Sequence, residues 1–168
     1  MDDIDLNVIE RIAQYMKDHK LILVTAESCT SGLIAATLAD IPGAGQALDC
    51  AFVTYSVQAK QRCLGVSEIT ILRHNLTSEE VAREMAMGAL KSSRANVAIA
   101  NTGVVDDTDD EIPAGTQCFA WAFRSTSVPE GIALFSETQR FEGDRLSIRR
   151  RSAEYALSQI PTYHAQHA

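Results

Sequence analysis

Three short apolar runs set the fold class of this chain: Leu21-Ile22-Leu23-Val24, Ala51-Phe52-Val53-Thr54 and Val97-Ala98-Ile99-Ala100. Each is a short continuous apolar run that reads as a strand, and Leu21–Val24 is consistent with a strand buried on both faces. Around them the spacing turns helical. Ile9, Ile12, Ala13 and Met16 predict an amphipathic helix over Leu6–His19, and Ile34, Leu38 and Ile41 predict one over Ser28–Ala39 that Pro42-Gly43 stops. A short helix runs through Lys60 and Leu64 to Gly65, and Thr77-Ser78-Glu79-Glu80 fits a capping box before Val81, Met85 and Ala89. Thr116–Phe123 alternates small Cys118, Ala120 and Ala122 with Phe119, Trp121 and Phe123, which predicts a fourth strand; Ile132–Phe135 continues the sheet, and Gly143–Ile160 forms a closing helix. Strands alternating with helices, followed by two consecutive strands, predict an α/β fold: a three-layer α/β/α sandwich around a mixed, mostly parallel sheet of about five strands. With no repeat, linker or low-complexity segment, residues 1–168 read as one domain, large enough to bury a core without staples.

Charge and cysteine usage exclude other classes. The net charge is −7, and Arg149-Arg150-Arg151 is the one basic cluster, so no nucleic-acid partner is expected; that cluster reads as a helix face with room for one arginine turned inward. No stretch approaches the ~18 apolar residues of a membrane span. The acidic start, Met1-Asp2-Asp3-Ile4-Asp5, lacks a signal-peptide core, which makes the cytoplasm the expected compartment. Cys29, Cys50, Cys63 and Cys118 form neither a C-x-x-C pair nor a zinc spacing and are expected reduced and packed as small apolar groups. No metal or cofactor is expected.

Ligands of open α/β sheets sit beyond the carboxyl ends of strands, and Ser28, Tyr55 and Thr102 each follow a predicted strand. Thr25-Ala26-Glu27-Ser28-Cys29-Thr30-Ser31-Gly32 puts a hydroxyl at a strand-to-helix turn, where free N–H groups and the helix dipole favour negative charge. Such a turn suits a nucleophile with oxyanion donors, or an anion-binding loop. Tyr55-Ser56-Val57-Gln58-Ala59-Lys60 adds a tyrosine and a lysine able to serve as hydrogen-bond donor and base, and together the segments point to acyl transfer. Plainer roles stay open. Ser28 also reads as a helix N-cap, Lys60 as a solvated helical lysine, Tyr55 as a strand end with a wet hydroxyl, Thr102-Gly103 as an ordinary turn, and Arg145 as a partner of Asp144. Cys29 is a rival nucleophile, although no histidine sits in a helpful context. Glu27 reads as a structural carboxylate holding neighbouring N–H groups.

Seven blocks in order carry a family resemblance: Thr25-Ala26-Glu27-Ser28-Cys29-Thr30, Ile41-Pro42-Gly43-Ala44, Tyr55-Ser56 with Lys60, Leu64-Gly65-Val66, Thr102-Gly103, Pro113-Ala114-Gly115-Thr116, and Phe141-Glu142-Gly143-Asp144-Arg145 with Arg149. At these residues the chain resembles the carboxyl-terminal domain of the CinA (competence/damage-inducible protein) family, whose stand-alone members include nicotinamide-nucleotide amidohydrolases. The resemblance implies a serine amidohydrolase that removes ammonia from the carboxamide of nicotinamide mononucleotide. It implies Ser28 as nucleophile, Lys60 as general base and Tyr55 as a residue that orients the dyad or relays a proton. Backbone N–H groups following Ser28 would stabilise the oxyanion. Cys29, Thr30, Thr102, Gly103 and Arg145 are implied on the substrate side, with the arginine a natural partner for phosphate. It also implies a homo-oligomer.

The chain departs from that pattern in one loop. Relatives follow the Thr-Gly pair with a Gly- and Pro-rich loop, of the type Thr-Gly-Ile-Ala-Gly-Pro-Gly-Gly, that lets amides approach a ligand. Here Val104-Val105-Asp106-Asp107-Thr108-Asp109-Asp110-Glu111 stands in its place, with five carboxylates in six positions. Val57 also replaces an asparagine and Ser31 a glycine. Lacking calcium-loop spacing, the loop reads as solvated charge. Because each unit-charge pair at ~4 Å costs about 1 kcal/mol even in water, the loop is expected to oppose a nucleotide phosphate. The expectation is therefore a family member with little or no activity on nicotinamide mononucleotide, kept as a binding protein. The alternatives are an active deamidase that tolerates the loop, or a serine amidase for a less anionic amide.

Overall fold

A computed structural model describes residues 3–167; Met1 and Asp2, part of the acidic start, and Ala168 lie outside the described residues. In chain order the elements are α1 (Leu6–Asp18), β1 (Leu23–Glu27), α2 (Leu33–Ala39), a 3₁₀ turn (Ala44–Ala47), β2 (Leu48–Val53), α3 (Val57–Leu64), α4 (Glu68–His74), α5 (Glu79–Lys91), β3 (Val97–Gly103), β4 (Thr116–Arg124), β5 (Ile132–Arg140), α6 (Arg145–Ser158) and α7 (Ile160–His167). The five strands form one sheet in the order β2-β1-β3-β4-β5. β1 runs parallel to both β2 and β3, whereas β4 is antiparallel to β3 and β5. Four strands thus share a direction and β4 alone opposes them.

Helices cover both faces, completing the expected three layers. On one face Ile9 and Met16 of α1, Ile34 and Leu38 of α2, and Ala153 and Leu157 of α6 pack on Leu23, Val97, Ile99, Phe119 and Trp121. On the other, Leu64 of α3 and Val81, Met85 and Ala89 of α5 pack on Val24, Ala26, Ala98, Ala100, Ala120 and Ala122. The alternation in β4 now has its reason. Its alanines let α5 approach the sheet closely, while its aromatic side chains fill the thicker layer opposite, where the Trp121 indole N–H donates to Ala156 O at 2.9 Å.

Local chemistry accounts for the differences from the sequence reading. β1 continues past its apolar run to Glu27, and α2 begins only at Leu33. The final helix stops at Ser158, and a further helix starts at Ile160, next to Pro161, a residue that suits a helical first turn. α4 was not expected; it buries none of its residues, so it has no core stripe to betray it. The connection from β1 to β2 carries α2 on one face, and that from β2 to β3 carries α3–α5 on the other. This reversal opens a crevice at the carboxyl ends of three adjacent strands.

Candidate active site

A buried carboxylate shapes the turn at that crevice. Glu27, at the end of β1, is fully buried. It accepts hydrogen bonds from Thr25 Oγ1 (2.8 Å), Thr30 Oγ1 (2.7 Å) and the N–H groups of Gly32 (3.1 Å), Ile34 (2.8 Å) and Ala35 (3.1 Å). Five donors around one carboxylate satisfy it without a counter-charge, and three of them belong to the start of α2. Glu27 therefore does the work expected of an N-cap, and the cap position falls to Gly32 at φ 97°. Ser28 is not the N-cap. Ser31 (φ 50°) and Gly32 turn the chain through two left-handed residues, which separates the Ser28 hydroxyl from the helix it precedes.

Ser28 instead meets Lys60. α3 opens on Ser56, whose hydroxyl accepts from Ala59 N–H, and one turn later it buries Lys60 completely. Lys60 Nζ lies 2.9 Å from Ser28 Oγ and donates to Thr54 O at 2.7 Å and Tyr55 O at 3.1 Å. All three partners are neutral, so nothing offsets the cost of burying an ammonium, and burial lowers the pKa of Lys60 from 10.5 to about 8. In the neutral amine the two carbonyls take both N–H groups, which leaves the lone pair facing the serine hydroxyl. The solvated-lysine reading does not survive.

The remaining candidates fall into two groups. Tyr55 reaches Lys60 through its carbonyl; the residue is 62% exposed, and its phenol sits within electrostatic reach of Arg145. Arg145, at the start of α6, pairs with Asp106 of the acidic loop, each side chain being more than half exposed; Asp144 instead caps α6 through Ser147 N–H. The others are built into the protein. Thr30 is buried and gives its N–H to Asn101 Oδ1 at 3.0 Å. Thr102 is buried with its hydroxyl donated to Leu76 O at 3.1 Å. A Cβ on Gly103 would overlap the Gln117 amide, so this glycine makes room for a neighbour. Cys29 is buried, and burial raises its thiol pKa above the ordinary 9.0, which keeps it protonated and a poor nucleophile.

The amides of the turn are almost all committed. Ser28 N–H donates to Asn101 O, Ser31 N–H to Ser28 O and Leu33 N–H to Thr30 O, while Thr30 and Gly32 use Asn101 Oδ1 and Glu27. From Ser28 to Leu33, only the Cys29 N–H has no acceptor among the described residues. Arg149 is the inward arginine of its cluster: Nε donates to Cys29 O at 3.1 Å and Nη2 to Thr30 O at 3.2 Å, clamping the turn from α6. Asn101, Gln117 and this role of Arg149 escaped sequence reasoning. The available signal was an Asn and a Gln inside strands that are otherwise mostly apolar.

In the acidic loop, Asp109 accepts from Glu111 N–H (2.8 Å), Ile112 N–H (3.2 Å) and Asn75 Nδ2 (3.1 Å), bonds that lower its carboxyl pKa. Asp106, Asp107, Asp110 and Glu111 are exposed. Among the described residues no group of three His, Cys, Asp or Glu side chains is arranged to hold a metal ion, and no helix is long and apolar enough to cross a membrane.

Comparison with known proteins gives a consistent set of likenesses. A family model described as the CinA C-terminal domain matches residues 5–163. The nicotinamide-nucleotide amidohydrolase PncC of Escherichia coli strain K12 is 39% identical over 157 residues, 92% of each chain. A CinA-like protein of Chloroherpeton thalassium is 40% identical over 158 residues, 93% of this chain but 37% of that longer protein. Among solved structures, the competence/damage inducible protein CihA from Agrobacterium tumefaciens superposes with a TM-score of 0.87 at 32% identity, covering 98% of this chain and 99% of its own. The competence damage-inducible protein A of Klebsiella pneumoniae gives 0.87 at 31% identity, covering 98% of both.

Proposed function

The chain belongs to the CinA C-terminal domain family, and on that premise we propose that it is a serine amide hydrolase, with Ser28 the nucleophile and Lys60 its base. One observation carries the reading: a fully buried lysine held by two backbone carbonyls with its third direction spent on a serine hydroxyl. Neutral Lys60 takes the hydroxyl proton as Ser28 Oγ attacks the carboxamide carbon. The Cys29 N–H receives the developing oxyanion, an interaction whose loss costs roughly 3 kcal/mol of barrier where it has been removed elsewhere. The resulting Lys60 ammonium returns its proton to the departing amine, ammonia leaves, and an ester remains on Ser28. Water, deprotonated by the same lysine, hydrolyses that ester to a carboxylate. The sum is amide plus water to carboxylate plus ammonia.

The substrate class follows from the amidohydrolase relatives and from the Tyr55–Arg145 side of the crevice, which supports a pyridine nucleotide carboxamide. Asp106 already occupies Arg145, and the loop adds four more carboxylates, so nicotinamide mononucleotide is a poor substrate. The same ion pair favours a second reading, a related carboxamide that carries no phosphate. The test is ammonia release from nicotinamide mononucleotide and from its phosphate-free riboside, by wild type and Ser28→Ala. Turnover abolished by the substitution supports the serine hydrolase, and the preferred compound separates the two substrate readings. Turnover that survives Ser28→Ala, or inertness of folded protein towards both carboxamides, goes against this function.

A further inference from the structure

Between the nucleophile turn and the acidic loop lies a buried pair of side-chain amides that the reaction steps above leave unused. Asn101 on β3 and Gln117 on β4 are both fully buried. They share one face of the sheet, since Asn101 opposes Phe119 and Gln117 stands two residues from it, opposite Gly103. Asn101 Oδ1 accepts Thr30 N–H at 3.0 Å, Asn101 Nδ2 donates to Gln117 Oε1 at 2.9 Å, and Gln117 Nε2 donates to Val104 O at 3.2 Å and Cys29 Sγ at 3.4 Å. The polarity of this chain is forced. Thr30 N–H is a donor and Val104 O an acceptor, so neither amide can flip without leaving buried groups unpaired.

Its anchor points are what matter. Asn101 takes the N–H of Ser28 with its backbone carbonyl and that of Thr30 with its side chain, the amides on either side of the Cys29 N–H. Both flanking amides are thereby held while the middle one is left over. The far end of the chain grips Val104, at the root of the acidic loop, and Gly103 lacks the Cβ that would displace Gln117. We propose that Asn101 and Gln117 are positioning residues: they aim the Cys29 N–H at the reacting carbonyl and fix the spacing between the nucleophile turn and the substrate loop. The inference rests on Ser28 being the nucleophile. An oxyanion donor acts in the transition state and not on bound substrate, so loss of aim lowers the rate constant and spares binding.

A fluorophosphonate probe reads this without a known substrate, because Ser28 Oγ attacks phosphorus, fluoride leaves, and the Oγ–P adduct is counted by mass spectrometry. Labelling is measured against probe concentration and pH in wild type, Ser28→Ala, Asn101→Leu and Gln117→Met, on protein shown to be folded. In Asn101→Leu the maximal labelling rate is expected to fall by roughly tenfold to a hundredfold, with half-saturation within twofold and the Lys60-dependent rise with pH unmoved. Gln117→Met, which leaves Asn101 its bond to Thr30, should show a smaller loss in the same constant, and it carries the test if Asn101→Leu does not fold. A maximal rate equal to wild type in the folded variants overturns this inference alone. Absence of Ser28 labelling in wild type overturns the reading it rests on, and this one with it.

Discussion

The lysine at the centre of the site makes a quantitative prediction about pH. Burial brings Lys60 to about 8, so about one molecule in ten holds it neutral at pH 7, against about one in three thousand for an ordinary lysine at 10.5. That is roughly a 300-fold gain in available base. Amide hydrolysis, followed as ammonia release, should rise about tenfold per pH unit below 8 and level off above it. Lys60→Met should lose at least a hundredfold and carry no such rise. Stability must move with the same group. The folded pKa lies below the unfolded one, so between about 8 and 10.5 the unfolded chain binds more protons and wild-type stability increases with pH. Across that window the gain is about 3 kcal/mol, and below pH 8 none of it is present. Lys60→Met removes both the burial cost and the donors to Thr54 O and Tyr55 O. At pH 7 the variant should therefore stand within about 2 kcal/mol of wild type, falling behind as pH approaches 10.5. Urea unfolding at pH 7, 8, 9 and 10 measures the difference. Parallel stability curves, or a rate that is flat from pH 6 to 8, would refute the argument that Lys60 is a base tuned by burial.

Two further substitutions probe the loop and the turn. Asp106→Asn frees Arg145 from a solvent-exposed ion pair whose hold is weak, so KM for nicotinamide mononucleotide should fall by only roughly threefold to fivefold while kcat holds. The benefit should shrink in high salt and be absent with a phosphate-free carboxamide; an equal effect on both compounds would remove Asp106 from any role in phosphate discrimination. Glu27→Gln places an NH₂ against donors that one carboxylate now satisfies, and should cost about 3 kcal/mol or more. In a chain of this size that lowers Tm by roughly 6–12 °C, a shift readily seen by calorimetry; an unchanged Tm would mean the carboxylate does not organise the turn.

What the sequence made legible, and what it hid, divides along the range of the interaction concerned. β1 and β3 announced themselves because a strand covered on both faces has no polar period, whereas β2, at the sheet edge, is partly exposed. The start of α5 is marked by a hydroxyl cap acting only three residues away, but the cap is Ser78, on Val81 N–H, and not the Thr77 of the expected box. The polar end of β1 defeats the same logic. Thr25 and Glu27 look like the start of a loop, yet both are strand residues with no exposure, buried because the carboxylate and α2 satisfy each other. Lys60 poses the harder case. On its helix it is indistinguishable from a solvated lysine, and only the packing of α3 against α5 and the approach of Ser28 from 32 residues away make it the base of the proposed reaction. Asn101 and Gln117 are the extreme, two amides 16 residues apart whose meaning is a direction of hydrogen bonding that no spacing encodes. The acidic loop reverses the order of difficulty. Its charge is plain in the sequence, but charge alone predicts a general repulsion. The structure turns that into a narrower observation: one carboxylate, Asp106, engages Arg145, while Asp109 is spent holding its own loop and Asn75. On the proposed function, a serine–lysine pair left intact beside a guarded arginine is altered in what it admits, not in what it can do. The choice of amide, rather than the presence or absence of hydrolysis, is therefore where this chain should differ from its relatives.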